Sequence, residues 1–294
     1  MKTNFVMMIF VCIFLTLYFF RTTNIISQIS NLNTKLPNHL WLYWENKKGQ
    51  IKPTYIELCR DTVKKHCSKD FKIHFLNEKN VYRYFPNMRK DLDKLSIPQK
   101  VDYIRLLALQ KYGGIWLDSD IIVFKSLKPL IEKLRYFDFA GFGCHDIKCQ
   151  LTNNGFGKPA NWVMISRRNG ILITECLKSA DNLLNSGINL SLPYNYHKLG
   201  RELLWKNIKK LLKKEWTYYH YNSTCIERDR NGNKYTNHRF LSNEDIDLQC
   251  DYYFMPMYNT APGFPQWFVN MDKKELLKSQ FFVSKLFNKA LNKK

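Results

Sequence analysis

Asp118-Ser119-Asp120 sets two carboxylates one residue apart, directly after the apolar run Ile115-Trp116-Leu117. Unpaired, such carboxylates repel. A hard divalent cation relieves the repulsion, and Mg2+ or Mn2+ prefers one or two carboxylates plus phosphate oxygens to an all-protein cage. Mn2+ (or Mg2+) is therefore the expected cofactor, with a diphosphate completing the site. Asp102 and Arg105 stand three apart on a preceding helical stretch and so share a face. The Gly113-Gly114 pair that follows folds the end of that stretch back toward the acidic pair. Four polar groups can then converge: a carboxylate accepts from hydroxyls, and a guanidinium neutralises phosphate. Each has a plainer reading, with Asp118 and Asp120 as turn residues and Asp102 and Arg105 as a solvated surface pair.

The elements that must position these groups follow from patterning. Pro98 to Tyr112 predicts a helix, started by Ser96 and Pro98 and stopped by Gly113-Gly114. Upstream, His39 to Trp44 is a β-rich apolar run, Pro53 to Cys67 reads as a helix with Pro in its first turn, and Phe71 to Leu76 alternates like a strand. Downstream, strands are expected at 137–142 and 162–166, and helices at 169–185 and 197–213. Alternating strands and helices predict an α/β fold with a mostly parallel central sheet, which binds ligands beyond the carboxyl ends of its strands. Asp118 falls at such an end.

Residues 272–294 read as a terminal helix, with Asp272 and Glu275 in capping-box spacing. Leu276, Val283, Leu286, Phe287, Ala290 and Leu291 face one way, and Lys274, Lys278, Lys285 and Lys289 the other. Such a helix either packs on the domain with its lysines solvated or lies on an anionic membrane surface.

The sequence has 294 residues, 45% of them hydrophobic, enough for one core. Lys and Arg exceed Asp and Glu by 46 to 25, a formal charge of +21 that suits phosphate-rich ligands, anionic membranes or acidic acceptors. The basic residues are spread along a Lys-, Asn- and Ile-rich chain, as an AT-rich genome would also produce, and no recognised nucleic-acid motif accompanies them. No nucleic acid partner is expected. Phe5 to Phe20 is an apolar run flanked by Lys2 and Arg21. It reads as a transmembrane signal-anchor after a tail at 1–4, followed by a stem at 21–36 and a large folded domain at 37–294. Single-pass, type II topology with a lumenal, Golgi- or ER-like folded domain is expected, with a cytoplasmic-facing domain as the alternative. Cys12 lies in the apolar run. The other seven cysteines show no zinc-knuckle spacing, and one or two disulfides are compatible with an oxidising compartment.

Ser96 to Val123 (SIPQKVDYIRLLALQKYGGIWLDSDIIV) resembles the segment shared by capsular polysaccharide synthesis proteins and Och1-like, DXD sugar-binding-region glycosyltransferases. In those proteins a helix bearing Asp and Arg runs into a Tyr-Gly-Gly turn, an apolar strand and Asp-x-Asp. Leu36 to Trp44 (LPNHLWLYW) is similar to the family's first strand. Beyond Leu130 only echoes remain, such as Leu199-Gly200-Arg201, where the family tends to show a Gly-Pro pair. The resemblance implies a GT-A-like, Rossmann-type nucleotide-sugar-binding domain. It implies a hexosyltransferase-type enzyme moving sugar, with retention, from a nucleotide-diphosphate donor to a glycan, glycoprotein or glycolipid acceptor; a UDP-sugar is slightly favoured over GDP-mannose. It implies that Trp44 lines the base pocket, beside Tyr43 and Gly114 in the donor-binding set, and that Asp102 and Arg105 hold donor hydroxyls and phosphate. Asp118 would touch ribose and a metal-bound water, and Asp120 would ligate the metal. The family's further C-terminal metal contact has no clear equivalent here, Asn259 and Thr260 being the candidates. The competing readings are a metal-dependent phosphohydrolase, and a membrane-tethered basic scaffold for nucleic acid or anionic lipid.

Overall fold

The computed structural model describes residues 35–142, 160–211, 218–221, 254–256 and 266–292. The expected tail at 1–4, the transmembrane segment at 5–20, most of the stem at 21–36, and Asn259 and Thr260 lie outside the described residues. The chain divides into a unit of Met1–Leu36 and a unit of Pro37–Lys294, and the elements below all belong to the second. Among the described residues no helix is long and apolar enough to cross a membrane.

The order is β1 (His39–Tyr43), α1 (Thr54–Cys67), β2 (Lys72–Leu76), α2 (Ile97–Tyr112), β3 (Gly114–Leu117), β4 (Ile121–Val123), β5 (Phe139–Phe142) and β6 (Val163–Ser166). Then come α3 (Ile171–Asn185), α4 (Arg201–Leu211), β7 (Tyr218–Tyr221), β8 (Phe254–Pro256), α5 (Lys273–Lys278) and α6 (Phe282–Leu291). α2 starts where Gln99 Oε1 accepts from the Ser96 backbone N–H and hydroxyl. It ends at Gly113, whose φ of 68° and N–H to Leu109 carbonyl bond turn the chain sharply. A β-branched or bulky residue there would be strained.

Six strands form one sheet in the order β2-β1-β3-β6-β5-β7, and β4 pairs with β8 in a separate two-stranded ribbon. β1 runs parallel to β2 and to β3, but β6 runs antiparallel to both of its neighbours, β3 and β5. The sheet is thus mixed, which corrects the mostly parallel expectation. Parallel neighbours need a crossover, usually helical. α1 supplies one between β1 and β2, and α2 carries the chain from β2 past β1 to β3, whereas after β3 the chain leaves for β4 before it re-enters the sheet.

One core cluster joins Trp41, Tyr43, Trp116, Phe139 and Met164 of the sheet to α2, α3 and α4. α2 is buried around most of its circumference, polar residues included. A second cluster joins α1 and Ile122 of β4 to Phe268, α5 and α6. The single terminal helix expected at 272–294 is broken: Ser279 is extended, with ψ near 157°, and α6 begins afresh at Phe282. On one continuous helix, Leu276 and Phe282 would sit about 120° apart, a wide arc for one helical face to bury. The break lets both become buried. Asp272 caps α5 by accepting from the Glu275 N–H at 2.8 Å. The apolar face of α6 packs on α1 within the protein, as the domain-packing reading expects. Lys65 and His66 of α1 contact the Ala290 carbonyl at its end at 2.9 and 2.8 Å.

Candidate active site

Parallel β1 and β3 bring their carboxyl ends to one edge of the sheet, so Tyr43-Trp44 and Asp118-Ser119-Asp120 arrive together. The Ser119 hydroxyl donates to the Tyr43 carbonyl at 2.8 Å, fastening the acidic turn to the end of β1. Antiparallel β6 delivers its opposite end there: the Asp118 N–H donates to the Trp162 carbonyl at 2.8 Å. Asn161 consequently stands at the same edge.

Arg105 reaches this edge from α2 and is 4% exposed. One guanidinium nitrogen lies 3.1 Å from Asp102 Oδ1 and 3.3 Å from Asp118 Oδ1. Another donates to the Asn161 carbonyl. The Asn161 side-chain amide donates to Asp102 Oδ1 at 2.8 Å, and Trp116 Nε1 donates to Asp118 Oδ1 at 3.0 Å. The Arg105 guanidinium also lies over the Trp116 ring, 5.5 Å from its centroid, a cation–π arrangement. Asp102 and Arg105 are therefore not a solvated helical pair. They are two members of a buried, hydrogen-bonded cluster in which one cation faces two carboxylates.

Burial pushes the Asp102 carboxyl up to about 6; Arg105 pulls it down, Asp118 adds to the rise, and the Asn161 bond opposes it. Burial raises Asp118 as well, against Arg105 and the Trp116 N–H. Asp102 and Arg105 are buried while the Asp118 side chain stays 30% exposed, so a further cation or donor arriving from the open side would offset the repulsion between the two carboxylates.

Asp120 is partly buried and its negative charge reaches Cys59 of α1, adding to the burial that holds that thiol protonated. Asp118 and Asp120 flank the buried Ser119, and two carboxylates so placed match the way Mg2+ or Mn2+ is held together with phosphate oxygens. Among the described residues, no group of three or more His, Cys, Asp or Glu side chains forms an all-protein metal cage.

Trp44 lies just past β1, its N–H on the Leu76 carbonyl at 3.1 Å and its indole N–H on Asn46 Oδ1 at 2.7 Å. It is partly exposed and packs on the second core cluster. Tyr43, by contrast, turns its ring into the first cluster, where its hydroxyl donates to Glu45 Oε2 at 2.6 Å. Glu45 is also paired with Lys100 of α2 at 2.6 Å. Tyr43 thus offers the edge its carbonyl rather than its ring. Gly114 is not brought to this edge. It stands at the other end of β3, roughly 13 Å along the strand from Asp118, with φ 105° and no room for a Cβ beside the His39 carbonyl.

Asn161 and Gly200 are the members that sequence reasoning did not assign. A parallel β6 would have brought Ser166 to this edge, so the wrong strand direction hid Asn161. Gly200 precedes α4, and a Cβ on it would collide with Asp102 Oδ2 and Asn161 Nδ2. The faint likeness of Leu199-Gly200 to a Gly-Pro pair was the available signal.

A family model described as capsular polysaccharide synthesis protein matches residues 14–229. No curated protein matches the chain. Among solved structures, similarity is found to the PaToxG glycosyltransferase, at 17% identity and a TM-score of 0.40, covering 67% of this chain and 79% of that one. The glycosyltransferase GlyE of Streptococcus pneumoniae TIGR4 matches at 16% identity and a TM-score of 0.39, covering 66% of this chain and 47% of its own. The galactosyltransferase LgtC, solved with donor and acceptor sugar analogues, matches at 14% identity and a TM-score of 0.36, covering 63% and 74%.

Proposed function

This chain belongs to the capsular polysaccharide synthesis protein family, and on that premise we propose that it is a metal-dependent, retaining glycosyltransferase of the hexosyltransferase type. It takes a sugar from a nucleoside diphosphate, with UDP favoured, and passes it to a hydroxyl of a glycan, glycoprotein or glycolipid. The observation that carries the reading is the Asp102–Arg105–Asp118 cluster at the carboxyl ends of β1 and β3, with Asp102 and Arg105 buried, Asp118 partly open and Asp120 two residues on.

Asp118 and Asp120 would hold Mn2+ or Mg2+. Bound there, the cation supplies charge neutralisation for the leaving diphosphate. Arg105, held by Asp102 and Asn161, adds a fixed positive charge that needs no reorganisation as the phosphate departs. Asp102 has its Oδ1 occupied and offers its other oxygen to a donor hydroxyl. Trp44 presents an aromatic face, with its indole N–H already satisfied, to the base. The acceptor hydroxyl attacks the anomeric carbon from the face the diphosphate leaves; the bond to the phosphate oxygen breaks, and that oxygen takes the proton. Phe5 to Phe20 would tether the domain as a single-pass, type II anchor, a reading that rests on that apolar run alone.

The test is nucleotide release by the full-length chain from a panel of UDP- and GDP-sugars, with Mn2+ or with chelator, beside Asp120→Asn. Cleavage of one donor that needs both metal and Asp120 is expected. Cleavage indifferent to both, or cleavage of none, would overturn the proposal.

A further inference from the structure

Residues 186–200 connect α3 to α4 and pass beside the buried cluster. The connection is pinned at several points. Leu190 and Leu199 are buried in the first core cluster, and Gln99 of α2 donates to the Leu190 carbonyl at 2.7 Å. Asn195 is buried, its side-chain amide donating to the Asn189 carbonyl at 2.6 Å and its N–H to the Leu192 carbonyl at 2.8 Å. Gly200 ends the segment in contact distance of Asp102 and Asn161. A turn held this way has little freedom to move, so what it displays is displayed in a fixed place.

It displays aromatic rings. Tyr196, directly after a tight 3-10 turn at Pro193–Asn195, is 38% exposed, and Tyr194 is 72% exposed. The two differ in what surrounds them. The Tyr196 phenol is raised by burial first and then by the charge of Asp102, with Asp118 acting in the same direction and Arg105 against them. Its ring meets His197 edge-on, with centroids 5.0 Å apart. Tyr196, four residues before the Gly200 that abuts Asp102 and Asn161, therefore borders the cluster, whereas Tyr194 stands mostly in solvent.

A half-exposed aromatic ring with a polar tip, on a rigid turn beside buried charges, matches a pyranose, which has an apolar C–H face and a rim of hydroxyls. Ligand sites combine such aromatic walls with a few fixed polar groups. Trp44 follows β1 and packs on the second core cluster, whereas Tyr196 sits on a segment pinned to the first. We propose that Tyr196 is the platform on which the acceptor saccharide stacks, a sugar-binding subsite bordering the Asp102–Arg105–Asp118 cluster. The proposal rests on the glycosyltransferase reading above and adds the position of the acceptor.

Saturation-transfer NMR on the full-length chain, in buffer free of sugar detergents, tests it with methyl β-D-glucopyranoside, methyl β-D-galactopyranoside and methyl α-D-mannopyranoside. UDP with Mn2+ serves as the separate donor arm. At least one glycoside should receive saturation from aromatic protons, most strongly on its axial C–H face. Its apparent affinity should fall about tenfold or more in Tyr196→Ala and stay within about threefold in Tyr196→Phe, in line with the value of a single aromatic contact. Tyr194→Ala, on the same turn, should match the wild-type protein. Equal loss in Tyr194→Ala, undiminished binding in Tyr196→Ala, or no transfer to any glycoside on the wild-type protein overturns the proposal. The axial-face pattern on the wild-type protein decides the matter should Tyr196→Ala fail to fold. Absent UDP binding with retained glycoside transfer would count against the donor site and not against this platform.

Discussion

At the scale of single residues, Asp102 is the group on which stability and function pull apart. Its carboxyl sits near 6, above the ordinary 3.8, so the folded state binds a proton more readily than the unfolded chain. The sign follows: its contribution favours the folded state at low pH and turns against it as pH rises through about 4 to 6. Two units of pKa correspond to about 3 kcal/mol as an upper bound. Asp102→Asn should leave the melting temperature at pH 7.5 unchanged or higher, with the gain shrinking toward pH 5, while transfer falls about a hundredfold or more. A lower melting temperature with activity retained would show that Asp102 is structural. Gly200→Ala makes the complementary case. The added methyl meets Asp102 and Asn161, so a loss of about 1 to 3 kcal/mol is expected from overpacking. Activity should fall with it, measured as thermal unfolding beside donor cleavage. At this scale the meeting of Asp102, Arg105 and Asp118 was legible, because spacing on a helix and at a strand end fixes which groups can meet. Asn161 was not, since nothing local in Asn161-Trp162 announces which way the next strand runs.

At the scale of elements, the Gly113-Gly114 turn connects helix to site. Its glycines have φ of 68° and 105°, and a Cβ at Gly114 would strike the His39 carbonyl. Gly114→Ala should cost on the order of 2 kcal/mol or more, read as a lower melting temperature. An unchanged value would mean that β1 and β3 can separate without loss. The two long helices between His39 and Val123 follow their sequence patterns closely, because each is bounded by a chemical stop, Pro53, Ser96 or the two glycines, whereas the short turns of helix at Val81–Tyr84 and Lys90–Lys94 carried no such signal. The terminal helix did not follow its pattern: it breaks at Ser279, and the tertiary burial of both Leu276 and Phe282 overrode propensity there. The mixed sheet escaped for a related reason. Alternating strands and helices imply parallel pairing between successive strands, and nothing in the pattern announces that β6 inserts antiparallel between β3 and β5.

At the scale of the whole molecule, acid should weaken the fold through a site far from the catalytic edge. His39 and His74 stand on neighbouring strands, their ring nitrogens 2.9 Å apart, and His74 stacks on Trp41 with centroids 3.9 Å apart. Burial, then the charges of His39 and Lys72, brings His74 down to about 4, and burial lowers His39 too. The unfolded chain takes up protons below about 6.5 while the folded one resists until about 4, so stability is full above 6.5 and drains as pH falls. His74→Gln should flatten that acid limb in melting curves between pH 7.5 and 5; an unaltered limb would place the loss elsewhere. The formal charge of +21 indicated anionic ligands, yet it named no site, because its lysines are spread along the chain and Arg105 of the cluster is buried.

The central claim is that Asp118 and Asp120 hold a metal that in turn holds a nucleoside diphosphate, and titration of UDP by calorimetry tests it most directly. With Mn2+ the wild-type chain should bind UDP at least about tenfold more tightly than with chelator, a gap of about 1.4 kcal/mol, and Asp120→Asn should erase the difference. UDP affinity that is the same with metal, with chelator and in Asp120→Asn would contradict the account.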